Sequence, residues 1–163
     1  MNGARWLSLL VLLAACDPVH DDAVDALGGE GGGVGPGPLH RPGQPCLLCH
    51  DGTLGNPEEF SVAGTVFLYP SSDEPADGAV VVLTDEDGST FRVRTNRAGN
   101  FYLSPGQYSP NYPLEVQVEH GGETIVMQST IGREGACAGC HSEPAGFDSP
   151  GRVYVMLDDG GVP

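Results

Sequence analysis

The chain has 163 residues, enough to bury one core of ordinary size. It is strongly acidic, with 22 Asp and Glu, seven Arg, no Lys and a formal net charge of −15. Because like charges repel, this composition argues against nucleic acid and anionic lipid headgroups as partners and favours basic or neutral ones. Acidity that only keeps the protein soluble is the alternative.

The first 15 residues have the features of a secretory signal peptide. Arg5 is followed at 6–15 by a short apolar run and small residues, and this run is too short to span a bilayer as a mature helix. The segment Leu13-Ala14-Ala15-Cys16 resembles a bacterial lipobox, in which cleavage before the cysteine leaves that cysteine to carry the lipid. It predicts removal of 1–15 and lipid anchorage through Cys16 in the bacterial cell envelope, on the periplasmic or cell-surface side. Ordinary cleavage that leaves a free Cys16 thiol is the alternative.

Residues 16–38 are acidic at first and then consist almost entirely of Gly and Pro. Such a segment has little apolar surface to bury, so it predicts a flexible tether between the lipid and the folded part. His20 lies in this tether, and we expect its side chain to be solvated.

Two segments, 39–60 and 132–163, each contain a C-x-x-C-H motif, which in an exported chain indicates attachment of c-type haem. Two thiols at this spacing can each add to one vinyl group of the same porphyrin, and the adjacent imidazole can then bind the iron. Zinc is the alternative, since such cysteine pairs also bind zinc, although zinc-binding pairs usually lie about 15 to 20 residues apart. The predicted sites for two covalent haem c groups are Cys46, Cys49, His50, Cys137, Cys140 and His141.

This interpretation accounts for all five cysteines, because one carries the lipid and four attach haem. It leaves no cysteine for a disulfide. A disulfide-rich scaffold would not normally arrange its cysteines as two C-x-x-C-H motifs and one lipobox.

Residues 61–131 and the end of the chain predict an all-β fold. Short β-branched runs alternate there with glycine-bearing turns, and alternation of Leu114, Val116 and Val118 with acidic and amide residues indicates a strand with one wet face. Seven short strands suggest a sandwich. They are predicted at 61–69, 79–84, 90–95, 100–103, 114–120, 123–131 and 152–157.

Three stretches, at 62–66, 78–83 and 95–102, resemble the carboxypeptidase regulatory-like domain. The resemblance covers roughly residues 60 to 130 and implies a noncatalytic, transthyretin-type sandwich. The whole arrangement also resembles small bacterial c-type cytochromes that place this domain beside or between C-x-x-C-H motifs. It implies a seven-stranded sandwich with haem-binding loops at both ends, which would hold two haems apart as a rigid spacer.

Three side chains are candidates for the iron face opposite His50 or His141, where the ligand sets potential and reactivity. His40 lies in a Pro-stiffened stretch that can wrap around the first haem. Met127 precedes the second motif by ten residues, and a Met in this place fits the family pattern. His120 lies at a predicted hairpin tip. The alternatives are an exposed loop residue for His40, packing beside Ile125 for Met127 and solvent exposure for His120.

Together these features predict a lipid-anchored dihaem c-type cytochrome that transfers electrons outside the cytoplasm to redox protein partners and is not an enzyme. Residues with the arrangement of a nucleophile, its base and an orienting group are not evident in the sequence. One alternative is a haem enzyme or sensor with one open iron site. Another is a zinc-stabilised surface scaffold.

Overall fold

The computed structural model describes residues 18–30, 34–53 and 58–159. The predicted signal peptide and the predicted lipidation site, Cys16, lie outside the described residues. Within them the fold is mostly β, in agreement with the predicted all-β class. Its strands are β1 (Val62–Phe67), β2 (Val80–Thr84), β3 (Thr90–Arg94), β4 (Asn100–Leu103), β5 (Glu115–His120), β6 (Glu123–Val126), β7 (Gly135–Ala136) and β8 (Val153–Tyr154).

The strands form two sheets. In the first, β1 is central: β4 pairs with one edge in antiparallel fashion, and two short parallel strands share the other edge. Of these, β7 pairs with the start of β1 and β8 with its end. The second sheet is antiparallel throughout, in the order β3-β2-β5-β6.

Both sheets contribute to one apolar core. Val62 and Val66 from β1 pack in the same cluster as Val81 from β2 and Val118 from β5, all of them at most 5% exposed. Burying an aliphatic side chain of this size stabilises the folded state by about 1.5–3 kcal/mol. The alternation predicted for 114–120 is confirmed, because Leu114 and Val118 are buried and Val116 packs against them.

The structure differs from the predicted seven strands. The described residues contain eight, and the first sheet is mixed. The additional strand, β7, has only two residues, which is too short for a periodic pattern. The strand predicted at 123–131 ends at Val126, beyond which Ile131 forms an isolated bridge with Leu114, and the final strand shortens to Val153–Tyr154.

Part of the predicted flexible tether is helical. Helix α1 (Pro18–Ala26) has no buried residue, but its partly buried positions fall on one side and it lies against the segment of the first motif. That side is formed by His20, Ala23 and Val24, at a spacing of three to four residues. Over the residues that the structure describes, every helix is too short or too polar to cross a membrane.

Candidate functional site

The two C-x-x-C-H motifs adopt the same local structure. Each starts with a 3-10 turn, Cys46–Leu48 in the first motif and Cys137–Gly139 in the second. In each, the carbonyl oxygen of the first cysteine accepts the amide N–H groups of the second cysteine and the histidine, at 3.2 and 3.0 Å in the first motif and 3.2 and 2.8 Å in the second. One backbone turn therefore fixes the relation between both thiols and the imidazole in each motif.

Both turns pack against β1, and the first turn also packs against β7, directly before Cys137. The prediction of haem-binding loops at both ends of a spacer is therefore wrong. The first motif leads directly into β1, and the parallel pairing of β7 with β1 brings the second motif back to the same strand. The two motifs are neighbours on one sheet.

A glycine on β1 makes room for the second motif. A Cβ atom at Gly64 would lie 2.7 Å from both the Cβ and the Sγ of Cys137, which is closer than real Cβ atoms approach. Cys137 can therefore pack directly on the strand only because residue 64 lacks a side chain.

The first cysteine of each motif is partly buried. Burial raises the pKa of Cys46 to about 11 and that of Cys137 to about 12. The neighbouring Cys46 thiol makes a smaller contribution to the raised pKa of Cys137. Both thiols are protonated at neutral pH, and Cys140 is exposed.

Both motif histidines are held by a backbone carbonyl. The Nδ1 of His50 lies 2.7 Å from the oxygen of Glu58, and the Nδ1 of His141 lies 2.9 Å from the oxygen of Gly151. A carbonyl oxygen only accepts, so each Nδ1 carries a proton, and in the neutral imidazole Nε2 keeps its lone pair. Histidines that bind metals through Nε2 usually have this arrangement.

The stretch that carries His40 is tied to the first sheet. Thr65 on β1 and Asn100 on β4 face each other in register and share a hydrogen bond of 2.7 Å. The Thr65 hydroxyl oxygen accepts the Gly43 N–H at 2.8 Å, and the Asn100 amide donates to the His40 carbonyl oxygen at 3.0 Å. The His40 Nδ1 in turn contacts the backbone oxygen and nitrogen of Gly37.

This anchoring brings His40 beside the first motif. The ring centroids of His40 and His50 are 5.9 Å apart. Two imidazoles that bind one metal ion from opposite sides have centroids about 6 Å apart, because each metal–nitrogen bond is about 2 Å long. Of the three candidates for the opposite iron face, His40 is therefore at a suitable separation from a motif histidine.

The His50 ring also has a fixed neighbour. It stacks on Phe60 with a centroid distance of 4.3 Å, and Phe60 stacks on Tyr102 of β4 at 4.8 Å. The Phe60 N–H donates to the His50 carbonyl oxygen at 2.9 Å. The aromatic stack connects the first motif to the outer strand of the first sheet.

A cleft of about 200 Å³ is lined by Cys137 and His141 of the second motif and by Pro42, Gly43 and Gln44, which precede the first motif. Arg152 also lines it. The Arg152 guanidinium lies 4.7 Å from the centre of the Phe67 ring, and its Nη1 and Nε lie 2.8 Å from Asp73 Oδ1 and 3.0 Å from Glu143 Oε1. Hydrogen bonds from Arg152 lower the pKa of the Glu143 carboxyl.

No protein-family model, curated protein or solved structure matches this chain.

The other two candidates for the opposite iron face lie on the second sheet. His120 ends β5 and lines a separate cavity, together with Arg94 and Glu119. Met127 directly follows β6, and its N–H donates to the Val116 carbonyl oxygen at 2.9 Å. The structure thus assembles His40 with the first motif and places His120 and Met127 on another sheet.

His20, expected to be solvated, lies near the first motif instead. Hydrogen bonds from Thr53 lower the pKa of the Asp51 carboxyl, and the charge of His20 adds to this effect.

Within 18–30, 34–53 and 58–159, no group of three or more His, Cys, Asp and Glu side chains is arranged so that it could hold a metal ion.

Several residues that organise the site carry no sequence signal. Gly64, Thr65 and Asn100 act through strand register, which the sequence does not show. The stacking of Phe60 on His50 joins residues ten apart in a loop. Only the prolines around His40 indicated that this stretch would be stiff.

Proposed function

We propose that the protein is an extracytoplasmic electron carrier with two covalently attached haem c groups, anchored through lipid on Cys16. The observation that carries the proposal is the duplicated site: two C-x-x-C-H turns with the same hydrogen bonds, each with its histidine Nδ1 on a backbone carbonyl. The donor set fits haem, since each turn offers two thiols and one Nε2 lone pair.

Haem, when bound, supplies an iron that takes up and releases one electron. Cys46 and Cys49 would each add across one vinyl group of the first porphyrin. Each addition would form a C–S bond and place the thiol hydrogen on the other vinyl carbon, with no leaving group. Cys137 and Cys140 would do the same at the second site. His50 and His141 would bind iron through Nε2, and His40 would bind the first iron from the opposite face.

Both motifs pack on β1, and this arrangement suits electron transfer between two haems. Two haems attached there would be neighbours, so one molecule could accept an electron at one haem and pass it to the other. The sheet would fix their separation and would limit reorganisation of the surroundings on electron transfer. We further propose that the scaffold is a variant of the transthyretin-type sandwich, a proposal supported by two sheets around one core. The acidic surface would suit basic or neutral redox partners.

One observation favours a second function. In the cleft beside His141, the described lining residues include no Met and no other His. An iron held there by His141 alone would keep an open position for a small gas or for peroxide. The protein would then be a sensor or haem enzyme at its second site.

Absorption spectra with and without carbon monoxide test the proposal and separate it from this alternative. We expect the protein produced with cytochrome c maturation functions to retain its haem in denaturant and to cycle between ferric and ferrous forms. The first haem should be low-spin and should not bind carbon monoxide. Rapid carbon monoxide binding at the second haem would favour the sensor or enzyme. A haem-free protein that purifies with zinc would exclude both haem functions.

A further inference from the structure

One buried hydroxyl organises the loop between the second motif and β8. Ser149 is 7% exposed, and its Oγ accepts the amide N–H groups of Ser142 at 2.9 Å and Gly151 at 3.0 Å. The same Oγ lies 2.8 Å from the carbonyl oxygen of Cys140 and 2.7 Å from that of Ser142, and its single hydrogen can be shared between them. Ser149 therefore closes the loop that begins at the second motif.

Both ends of this network meet at His141. The Ser149 hydroxyl contacts the carbonyl oxygen of Cys140, which directly precedes His141. The hydroxyl also accepts the N–H of Gly151, and the carbonyl oxygen of Gly151 in turn accepts the hydrogen of His141 Nδ1. Gly151 is buried with a φ of +80°, and a Cβ there would lie 2.9 Å from the Cβ of Ala145. The position of the acceptor is thus fixed by a glycine conformation and by the Ser149 hydroxyl.

The first motif differs in this respect. Its histidine donates to the carbonyl oxygen of Glu58, an exposed residue, whereas Gly151 is buried. A carbonyl acceptor makes a ligating imidazole more basic, and hydrogen bonding around an axial ligand is one of the means by which proteins tune haem potential.

We propose that Ser149 is a positioning residue of the second haem site. By holding the Gly151 carbonyl against Nδ1, it keeps His141 in the Nδ1–H tautomer with Nε2 directed to the iron. The expected effect of Ser149 on the haem potential rests on the proposed haem function. The expected effect of Ser149 on the tautomer of His141 can be tested without haem.

The test compares Ser149→Ala with Ser142→Ala in the haem-loaded protein. Ser142 is the matched control because it is in the same loop and its bonds in this network come from its backbone. In Ser149→Ala, we expect the His141 Nδ1–H to exchange with solvent about tenfold faster, as a lost hydrogen bond of ordinary strength allows. The second haem should shift to a higher potential while the first stays unchanged. Wild-type exchange and potentials in Ser149→Ala would overturn the proposal.

Imidazole nitrogen-15 shifts of the haem-free full chain separate this proposal from the haem function. Wild type and Ser142→Ala should show His141 mainly as the Nδ1–H tautomer, and Ser149→Ala should move it towards Nε2–H. Ser149→Thr, which keeps the hydroxyl, should behave as wild type. An unchanged tautomer in Ser149→Ala would overturn the role of Ser149 even if haem is attached. Absence of haem in the wild type would overturn only the proposed function.

Discussion

Replacing His40 with alanine should convert the first haem from a low-spin to a high-spin form that binds carbon monoxide. The physical reason is the loss of the second imidazole, because the rings of His40 and His50 lie 5.9 Å apart, the separation expected for two ligands of one iron. Absorption and electron paramagnetic resonance spectra of the ferric and ferrous protein would measure the change. The spectrum of the second haem should be unaffected, so the gain in high-spin signal should correspond to one haem per molecule.

His120→Ala is the matched control for His40→Ala. It removes another partly buried histidine, but one that lines a cavity on the second sheet. Its spectra should match those of the wild type. A low-spin first haem in His40→Ala, or a spectral change in His120→Ala, would show that His40 is not the ligand opposite His50.

Gly64→Ala should weaken both the fold and haem attachment at the second motif. The added Cβ would meet the Cys137 side chain at 2.7 Å and Phe101 at 3.2 Å, so the second 3-10 turn must move away from β1. Overpacking of this kind costs about 1–3 kcal/mol of unfolding free energy. Denaturant unfolding would measure this loss, and peptide mass mapping should show less haem on Cys137 and Cys140 while Cys46 and Cys49 stay fully loaded.

Gly106→Ala is the control for that substitution. A Cβ at Gly106 meets no heavy atom within 4 Å, so stability and haem content should be unchanged. Wild-type stability together with full haem at both motifs in Gly64→Ala would contradict the packing of Cys137 on β1.

The sequence was sufficient for features that depend on local pattern. The alternation at Leu114, Val116 and Val118 predicted a core-facing strand because a strand repeats every two residues. The spacing of each C-x-x-C-H motif places its two cysteines and its histidine in one local turn. These features depend on neighbours in the chain.

Features that depend on strand pairing could not be predicted in the same way. The adjacency of the two motifs follows from the pairing of Gly135 and Ala136 with β1, and two residues carry no periodic signal. A Cβ at Gly135 would lie 2.2 Å from the Ser61 carbonyl oxygen, so this contact depends on a glycine that in sequence looks like any loop residue. Thr65 and Asn100 hold the His40 segment only because they face one another in register, and Ser149 acts on His141 through a closed loop.

The helical start of the predicted tether has a similar explanation. The acidic residues after Pro18 suggested a solvated chain, and the helix there has no buried residue. It lies against the first motif through its partly buried positions. That contact depends on where the first motif folds, which the composition of the tether does not reveal.

The most direct test of the account is the intact mass of the protein produced and exported with cytochrome c maturation functions. We expect the mass of the chain from Cys16 onward with its lipid and two haem groups, and with one haem fewer after both cysteines of either motif are replaced by alanine. Polypeptide without a haem adduct in the wild type would contradict it.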